Sequence, residues 1–104
     1  MISVFQAPEW AEAWNKRAIA HFLAGEHDKS LEDIKEVLKL EPRHFGALCG
    51  RGKVNERQSN WQNAIDSYQA ALVLHPWLAT VGSSMHFARL ESKAAILSAE
   101  EEEK

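Results

Sequence analysis

A chain of 104 residues is long enough for one domain with a modest core. Apolar residues make up 45% of the chain and charged residues 26%, as in globular proteins and unlike disordered ones. The net charge is −3, but four of the fifteen acidic residues lie in the last five positions, and the rest of the chain carries eleven charges of each sign. Because a neutral body is a poor electrostatic match for nucleic acid or an anionic membrane, we expect neither as a partner.

The single cysteine, Cys49, excludes an intramolecular disulfide and gives no support to a secreted, disulfide-stapled scaffold. No apolar run approaches the roughly 20 residues needed to span a bilayer. Residues 1–8 lack the basic start and long apolar core of a signal peptide. These features predict a cytoplasmic or otherwise intracellular soluble protein, and an organellar location stays open if a targeting region precedes Met1.

An internal repeat is visible in the prolines, because Pro8, Pro42 and Pro76 are evenly spaced along the chain. Their period of about 34 residues is typical of stacked helical units. We therefore interpret residues 9–42 and 43–76 as two copies, and residues 1–8 as a stub that ends a preceding repeat. A shift by one period aligns further identical pairs, including Ala13 with Ala47, Arg17 with Arg51, Leu38 with Leu72 and Leu40 with Leu74.

Each copy has the apolar spacing of two amphipathic helices. In the first copy, the first helix ends at Gly25, and the second ends before Pro42 because a residue that precedes proline disfavours the α region. The second copy predicts a helix from about 43 to 58, then a turn with Asn60 as N-cap, and a helix over 61–74. No stretch alternates with period two for long enough to form a strand. The fold class is therefore all-α.

Residues 77–99 keep helical spacing but lose the repeat register. His86 falls where a small residue is required and Gly82 where a bulky one is. Because stacked repeats need a terminal helix with a polar outer side, we expect a C-terminal capping helix here. Residues 100–104 are interpreted as a solvated acidic tail.

Sixteen positions of the two copies carry the pattern of a known repeat family. The first copy supplies Trp14, Arg17, Ala18, His21, Ser30, Ile34, Val37 and Pro42, and the second supplies Leu48, Arg51, Gly52, Asn55, Ala64, Tyr68, Ala71 and Pro76. In this pattern the chain resembles the tetratricopeptide repeat (TPR) family, although Arg17 and Arg51 replace a leucine and His21 and Asn55 replace an aromatic residue. The resemblance implies antiparallel helix-turn-helix repeats, stacked as a short right-handed α-solenoid of about five helices.

Catalytic and metal-binding patterns are not found in the sequence. Nothing obvious activates Cys49, and no Cys or carboxylate completes a metal-ligand spacing with His21 and His27. There is no Gly-rich phosphate loop, HExxH or GxSxG. We therefore expect no enzymatic activity, no cofactor and no metal. Trp10 and Trp77 flank the repeat boundaries and are interpreted as staples between repeats, with exposed binding anchors as the alternative.

The resemblance also implies a binding surface, because the first helix of each repeat lines the concave face of such a solenoid. In this family, acidic chaperone tails are held by paired Lys and Asn residues; here only Lys53 is basic at the corresponding positions, which disfavours that ligand. The mixed surface favours a short peptide or a helix of a partner protein. Carrying over the groove-lining positions gives Glu12, Asn15, Ile19, Phe22, Cys49, Lys53, Glu56 and Arg57.

The leading hypothesis is a non-catalytic protein–protein interaction module, an adaptor or scaffold that binds a partner's peptide or helix in its concave groove. The alternative is a self-associating structural repeat unit, or a fragment of a longer repeat protein, so a homo-oligomer stays open. RNA binding, which other helical-hairpin repeats perform, is disfavoured by the neutral body.

Overall fold

A computed structural model describes residues 3–102 of the chain. This part consists of five helices and contains no strand. The hairpins α1/α2 and α3/α4 pack on each other through α2 and α3, and α5 packs on α4. The fold is thus the all-α helical-repeat solenoid that the sequence predicts. The helices are α1 (Ala11–Leu23), α2 (His27–Leu40), α3 (Phe45–Arg57), α4 (Trp61–Leu74) and α5 (Ala79–Glu102).

Each hairpin closes where small buried residues let its two helices approach. In the first hairpin, Ala18 on α1 faces Ser30 on α2, and the Ser30 hydroxyl donates a 2.8 Å hydrogen bond to the Ala18 carbonyl. In the second, Gly52 lies against the ring of the buried Tyr68, so close that a Cβ at Gly52 would be 2.5 Å from the nearest ring carbon. The predicted small positions therefore lie at the helix crossings.

The core consists of two apolar clusters, one for each hairpin and the helix that follows it. Burying apolar side chains in this way is the main stabilising term of the fold. The first cluster, between α1, α2 and α3, includes Ala18, Ile34, Val37, Ala47 and Val54. The second, between α3, α4 and α5, includes Leu48, Ala64, Tyr68, Ala71 and Ala88.

The turns inside the two hairpins repeat the same left-handed backbone conformation. Gly25 has φ +80° after α1, and Ser59, one repeat period later, has φ +60° after α3. Glycine adopts this conformation at no steric cost, whereas serine is strained by it. Asn60 holds the N-cap position of α4, but its side chain forms no cap hydrogen bond, and its amide nitrogen donates to Gln58 Oε1 at 3.5 Å. The predicted Asn60 cap is therefore wrong in its side-chain interaction.

The bounds of two helices differ from the predicted ones. Helix α3 begins at Phe45 rather than 43, because His44 is its N-cap and accepts a 3.0 Å hydrogen bond from the Ala47 amide. Helix α5 continues through Glu102, so residues 100–102 of the predicted tail are helical and exposed, in keeping with the good helix propensity of glutamate. The division of the chain at positions 8, 42 and 76 stays a prediction.

Turns and two exposed tryptophans occupy the segments that flank the two predicted repeats. Residues 3–10 form turns, while residues 1 and 2 of the predicted stub and residues 103 and 104 of the tail lie outside the described part. Trp77 is 74% exposed, and its ring meets the His75 ring edge-on with the ring centroids 5.4 Å apart. The expected role of Trp77 as a staple between repeats is therefore wrong. Trp10 is 42% exposed.

Candidate peptide-binding groove

A groove runs between the two first helices of the hairpins, α1 and α3, with α2 below them. It contains a cavity of about 400 Å³. Helix α1 forms one wall and α3 the other, while Ser30 and Ile34 reach the cavity from α2. The α1 wall carries Asn15, Ala18, Ile19, Phe22 and Leu23, and the α3 wall carries Gly46, Cys49, Gly50, Lys53 and Val54.

Five of the eight residues predicted to line a groove lie around this cavity: Asn15, Ile19, Phe22, Cys49 and Lys53. Their spacing of three or four residues within each helix places them on one face of α1 and one face of α3. The structure therefore brings together the predicted positions of two helices that are one repeat period apart in the sequence.

The other three predicted residues, Glu12, Glu56 and Arg57, do not line the cavity. Arg57 lies beside a lining residue, since its guanidinium carbon is 5.8 Å from the centroid of the Phe22 ring, which is a cation–π distance. Glu12 pairs with His44 Nε2 at the start of α3. The Glu56 carboxylate accepts a 3.0 Å hydrogen bond from the Tyr68 hydroxyl and is thereby directed toward α4. These two glutamates hold helices together at positions where groove contacts were expected.

The exposed surface of the groove combines an apolar wall with positive charge. Ile19 is 51% exposed and Leu23 78% exposed, so large apolar area faces solvent on α1. Lys53 and Arg57 are exposed on α3, and no acidic side chain of residues 3–102 lines the cavity. Such a surface is suited to an apolar side chain flanked by a negative charge or by carbonyl acceptors.

Cys49 is the one thiol of the groove lining, and its environment weakens it as a nucleophile. Burial raises the pKa of its thiol, and the nearby positive charge of Lys53 opposes this only in part. The thiol is therefore protonated at neutral pH, and a protonated thiol is a poor nucleophile. Across residues 3–102, no three His, Cys, Asp or Glu side chains are grouped so as to hold a metal ion.

Two glycines of α3 that shape the groove were missed by the sequence prediction. A Cβ at Gly46 would lie 3.2 Å from the His44 ring, and one at Gly50 would lie 3.6 Å from Ile34 Cδ1. The signal that could have found them is their spacing of four residues, which puts two positions without a side chain on the face of α3 that also carries Lys53.

In the described part of the chain, no helix is both long and apolar enough to cross a membrane.

The known proteins that this chain resembles contain tetratricopeptide repeats. A family model described as tetratricopeptide repeat matches residues 15–76, which is more than half of the 104 residues. A TPR repeat-containing protein of Rhizobium etli is 41% identical over 69 residues, which are 66% of this chain and 34% of that protein. Human tetratricopeptide repeat protein 34 is 31% identical over 96 residues, which are 91% of this chain and 17% of that protein.

A third relative is the small glutamine-rich tetratricopeptide repeat-containing protein 2 of Mycosarcoma maydis, which is 27% identical over 63 residues, 61% of this chain and 18% of that protein. The chain thus matches only 34%, 17% and 18% of the lengths of these relatives. All three share with it the repeat itself.

Proposed function

We propose that this chain, which belongs to the tetratricopeptide repeat family, is a non-catalytic protein-interaction module. Repeats of this family generally mediate protein–protein interactions. The proposed ligand is a short peptide or a helix of a partner protein, bound in the groove between α1 and α3. An adaptor or scaffold role in the cell would follow from such binding.

The observation that supports this proposal most strongly is the exposed apolar wall of α1 next to unpaired cations of α3. Ile19, Leu23 and the half-buried Phe22 present apolar surface to an open cavity of about 400 Å³. Within residues 3–102, neither Lys53 nor Arg57 lies within 4 Å of a carboxylate. A ligand with one large apolar side chain and a nearby acidic side chain would cover the first and pair with the second.

Selection from a random peptide library displayed on phage tests the proposal, with the whole chain immobilised as bait. Selected peptides are synthesised with a fluorescent label, and their affinity is measured by anisotropy. Because Cys49 is the only cysteine and lies inside the cavity, its alkylation rate reports whether the groove is filled. We expect a saturating peptide to slow alkylation of Cys49 by N-ethylmaleimide.

Variants with matched controls separate groove binding from other surfaces. Lys53→Ala and Ile19→Ala each remove one groove contact, and we expect each to weaken binding by about tenfold, which corresponds to about 1.4 kcal/mol. Lys16→Ala and Val73→Ala remove an exposed lysine and an exposed aliphatic residue that do not line the cavity. Equal affinities of all four variants, together with unprotected Cys49, would exclude the groove as the binding site.

Self-association is the second candidate function, and the surface of α5 favours it. Three large apolar residues of this helix, Leu90, Ile96 and Leu97, are at least half exposed. A second copy of the chain could cover them, since large exposed apolar patches are typical of interaction surfaces. Sedimentation equilibrium of the whole chain at micromolar concentration decides this point. A strict monomer would rule out self-association, and a dimer dispersed by Leu90→Glu would support it.

A further inference from the structure

The two hairpins carry different residues at one buried position, which is Asp33 in the first and Ser67 in the second. In the first hairpin, Arg17 on α1 binds Asp33 on α2 through Nε and Nη2, with both hydrogen bonds at 2.8 Å. The Asp33 side chain is only 4% exposed. The rings of Phe5 and Trp14 cover the guanidinium, with centroids 5.9 and 5.1 Å from its carbon. Two of the three guanidinium nitrogens of Arg17 are therefore bonded within its own hairpin.

In the second hairpin, the arginine is retained but the carboxylate is absent. Arg51 corresponds to Arg17 and Ser67 to Asp33, each one repeat period further along the chain. Arg51 Nε donates a 2.8 Å hydrogen bond to the Ser67 hydroxyl. Within residues 3–102, this is the only hydrogen bond of the Arg51 guanidinium, and no carboxylate lies within 4 Å of it. Both terminal nitrogens of Arg51 therefore keep free hydrogen-bonding capacity, whereas Arg17 uses one of its own, Nη2, on Asp33.

Arg51 of α3 borders a cavity of about 600 Å³ that lies between α2 and α4, and this cavity shares only Ile34 with the lining of the groove between α1 and α3. Its apolar lining comes from Leu31, Ile34 and Leu38 of α2. Charged groups surround this lining, with Lys35 and Lys39 on α2 and Asp66 on α4. The cavity therefore joins aliphatic surface to a guanidinium with open donor positions.

The charges at this cavity favour an anionic occupant. Lys39 is paired with Glu36 at 3.0 Å, and the Asp66 carboxylate accepts a hydrogen bond from the Gln62 amide at 3.0 Å. Within residues 3–102, Lys35 is left without a carboxylate partner within 4 Å, as Arg51 is. Three cations therefore border the cavity against one carboxylate. A planar guanidinium matches a carboxylate in geometry as well as in charge.

We propose that the cavity between α2 and α4 is a second binding site, in which Arg51 holds an Asp or Glu side chain of a partner's peptide. The first hairpin provides the precedent, since the group that Arg17 binds at the corresponding position is an Asp side chain rather than a chain terminus. Leu31, Ile34 and Leu38 receive a leucine-like side chain next to that acid. The occupant is thus an acidic peptide with an aliphatic residue on the same face.

The test uses three labelled peptides and the whole chain. The first, acetyl-GSLSDSLSG-amide, places Leu and Asp on one face of an extended strand, where alternate residues share a side. The second replaces Asp by Asn, and the third is that neutral peptide with a free C-terminal carboxylate. We expect saturable binding of the first by fluorescence anisotropy, and binding of the second and third weaker by about tenfold or more, the loss typical of a charge-assisted pair. If the second peptide bound as tightly as the first, or if the first did not bind, the proposal would be overturned. If the third peptide bound more tightly than the first, the choice of an acidic side chain over a chain terminus would be overturned.

Ser67→Asp is the most informative variant, because it places in the second repeat the internal carboxylate of the first. We expect it to occupy Arg51, to abolish binding of the acidic peptide and to leave the helical circular dichroism unchanged. Arg51→Gln removes the guanidinium with a smaller change in packing and should give the same loss. Retained affinity in Arg51→Gln overturns the proposal even if Ser67→Asp fails to fold.

Two further variants locate the site. Asp66→Asn removes the competing carboxylate and should tighten binding of the acidic peptide. Lys53→Ala alters the groove between α1 and α3, and because Lys53 does not line the second cavity, binding of the acidic peptide should be unchanged. Loss of binding in Lys53→Ala would assign the peptide to that groove and reject the second site, so the two proposals fail independently.

Discussion

The close contact between Gly52 and Tyr68 gives the sharpest prediction about stability. A methyl group at Gly52 would lie 2.5, 2.7 and 2.8 Å from three carbons of the Tyr68 ring. The ring is only 1% exposed, so it has no solvent-filled space to move into. Gly52→Ala therefore forces the crossing of α3 and α4 apart.

Gly50→Ala is the matched control, because Gly50 lies two residues away in the same helix. A Cβ there would meet only Ile34 Cδ1, at an ordinary distance of 3.6 Å. Both substitutions gain up to about 1 kcal/mol of helix propensity. Only Gly52→Ala adds the cost of overpacking, which is typically about 1–3 kcal/mol. The difference between the two variants therefore isolates the steric cost, and we expect Gly52→Ala to be less stable by that amount.

Thermal unfolding followed by circular dichroism measures this difference. A gap of about 1 kcal/mol corresponds to about 4–8 °C in Tm for a domain near this size. Tyr68→Leu removes the ring that the new methyl group meets, so the Gly52→Ala penalty should shrink in the double variant. A Gly52→Ala chain as stable as Gly50→Ala, or additive effects in the double variant, would refute this account of the crossing.

Three further predictions concern single side chains. Burial and the Glu56 carboxylate raise the pKa of Tyr68, so the stability that this tyrosine contributes is complete below its ordinary pKa of about 10 and is lost as the pH rises above that value. Because Tyr68 is the only tyrosine, the absorbance of the tyrosinate band reports its ionisation alone. We expect no tyrosinate absorbance at pH 10 as long as the helices stay folded. Burial raises the pKa of Cys49, so N-ethylmaleimide should react with it more slowly at pH 8 than with the unfolded chain in urea; equal rates would contradict the burial. Asp33→Asn replaces the buried carboxylate that binds Arg17 and should cost about 1–3 kcal/mol in urea unfolding, whereas Lys39→Gln, at an exposed pair, should change it by less than about 1 kcal/mol.

The proline spacing and the small residues predicted most of the fold because they report backbone requirements. A helix ends before Pro42 whatever surrounds it, and a crossing at Gly52 or Ala18 tolerates no larger side chain. Both requirements recur with the repeat period and are visible without knowledge of the packing. The absence of a side-chain cap at Asn60 was not visible in this way, since it depends on the orientation of one side chain, whose amide contacts Gln58.

Groove residues could be predicted only where the position in the helix is enough to make a side chain of α1 or α3 face the other of these two helices. Ile19 and Lys53 line the cavity for that reason. Glu12 and Glu56 were misplaced because a long side chain turns toward whichever group it can bond. Glu12 bonds to His44, 32 residues away, and Glu56 accepts from the Tyr68 hydroxyl, 12 residues away. The open edge of Arg51 likewise depends on a comparison of two positions, Asp33 and Ser67, rather than on the arginine itself.

The central proposal is that a peptide binds between α1 and α3, and chemical-shift mapping by NMR tests it most directly. The isotope-labelled chain is titrated with a peptide selected on it, and shifts of backbone amides are followed. We expect the largest shifts on α1 and α3, centred on Asn15, Ile19, Phe22, Cys49 and Lys53. Shifts centred instead on α5, or on α2 and α4 alone, would contradict it.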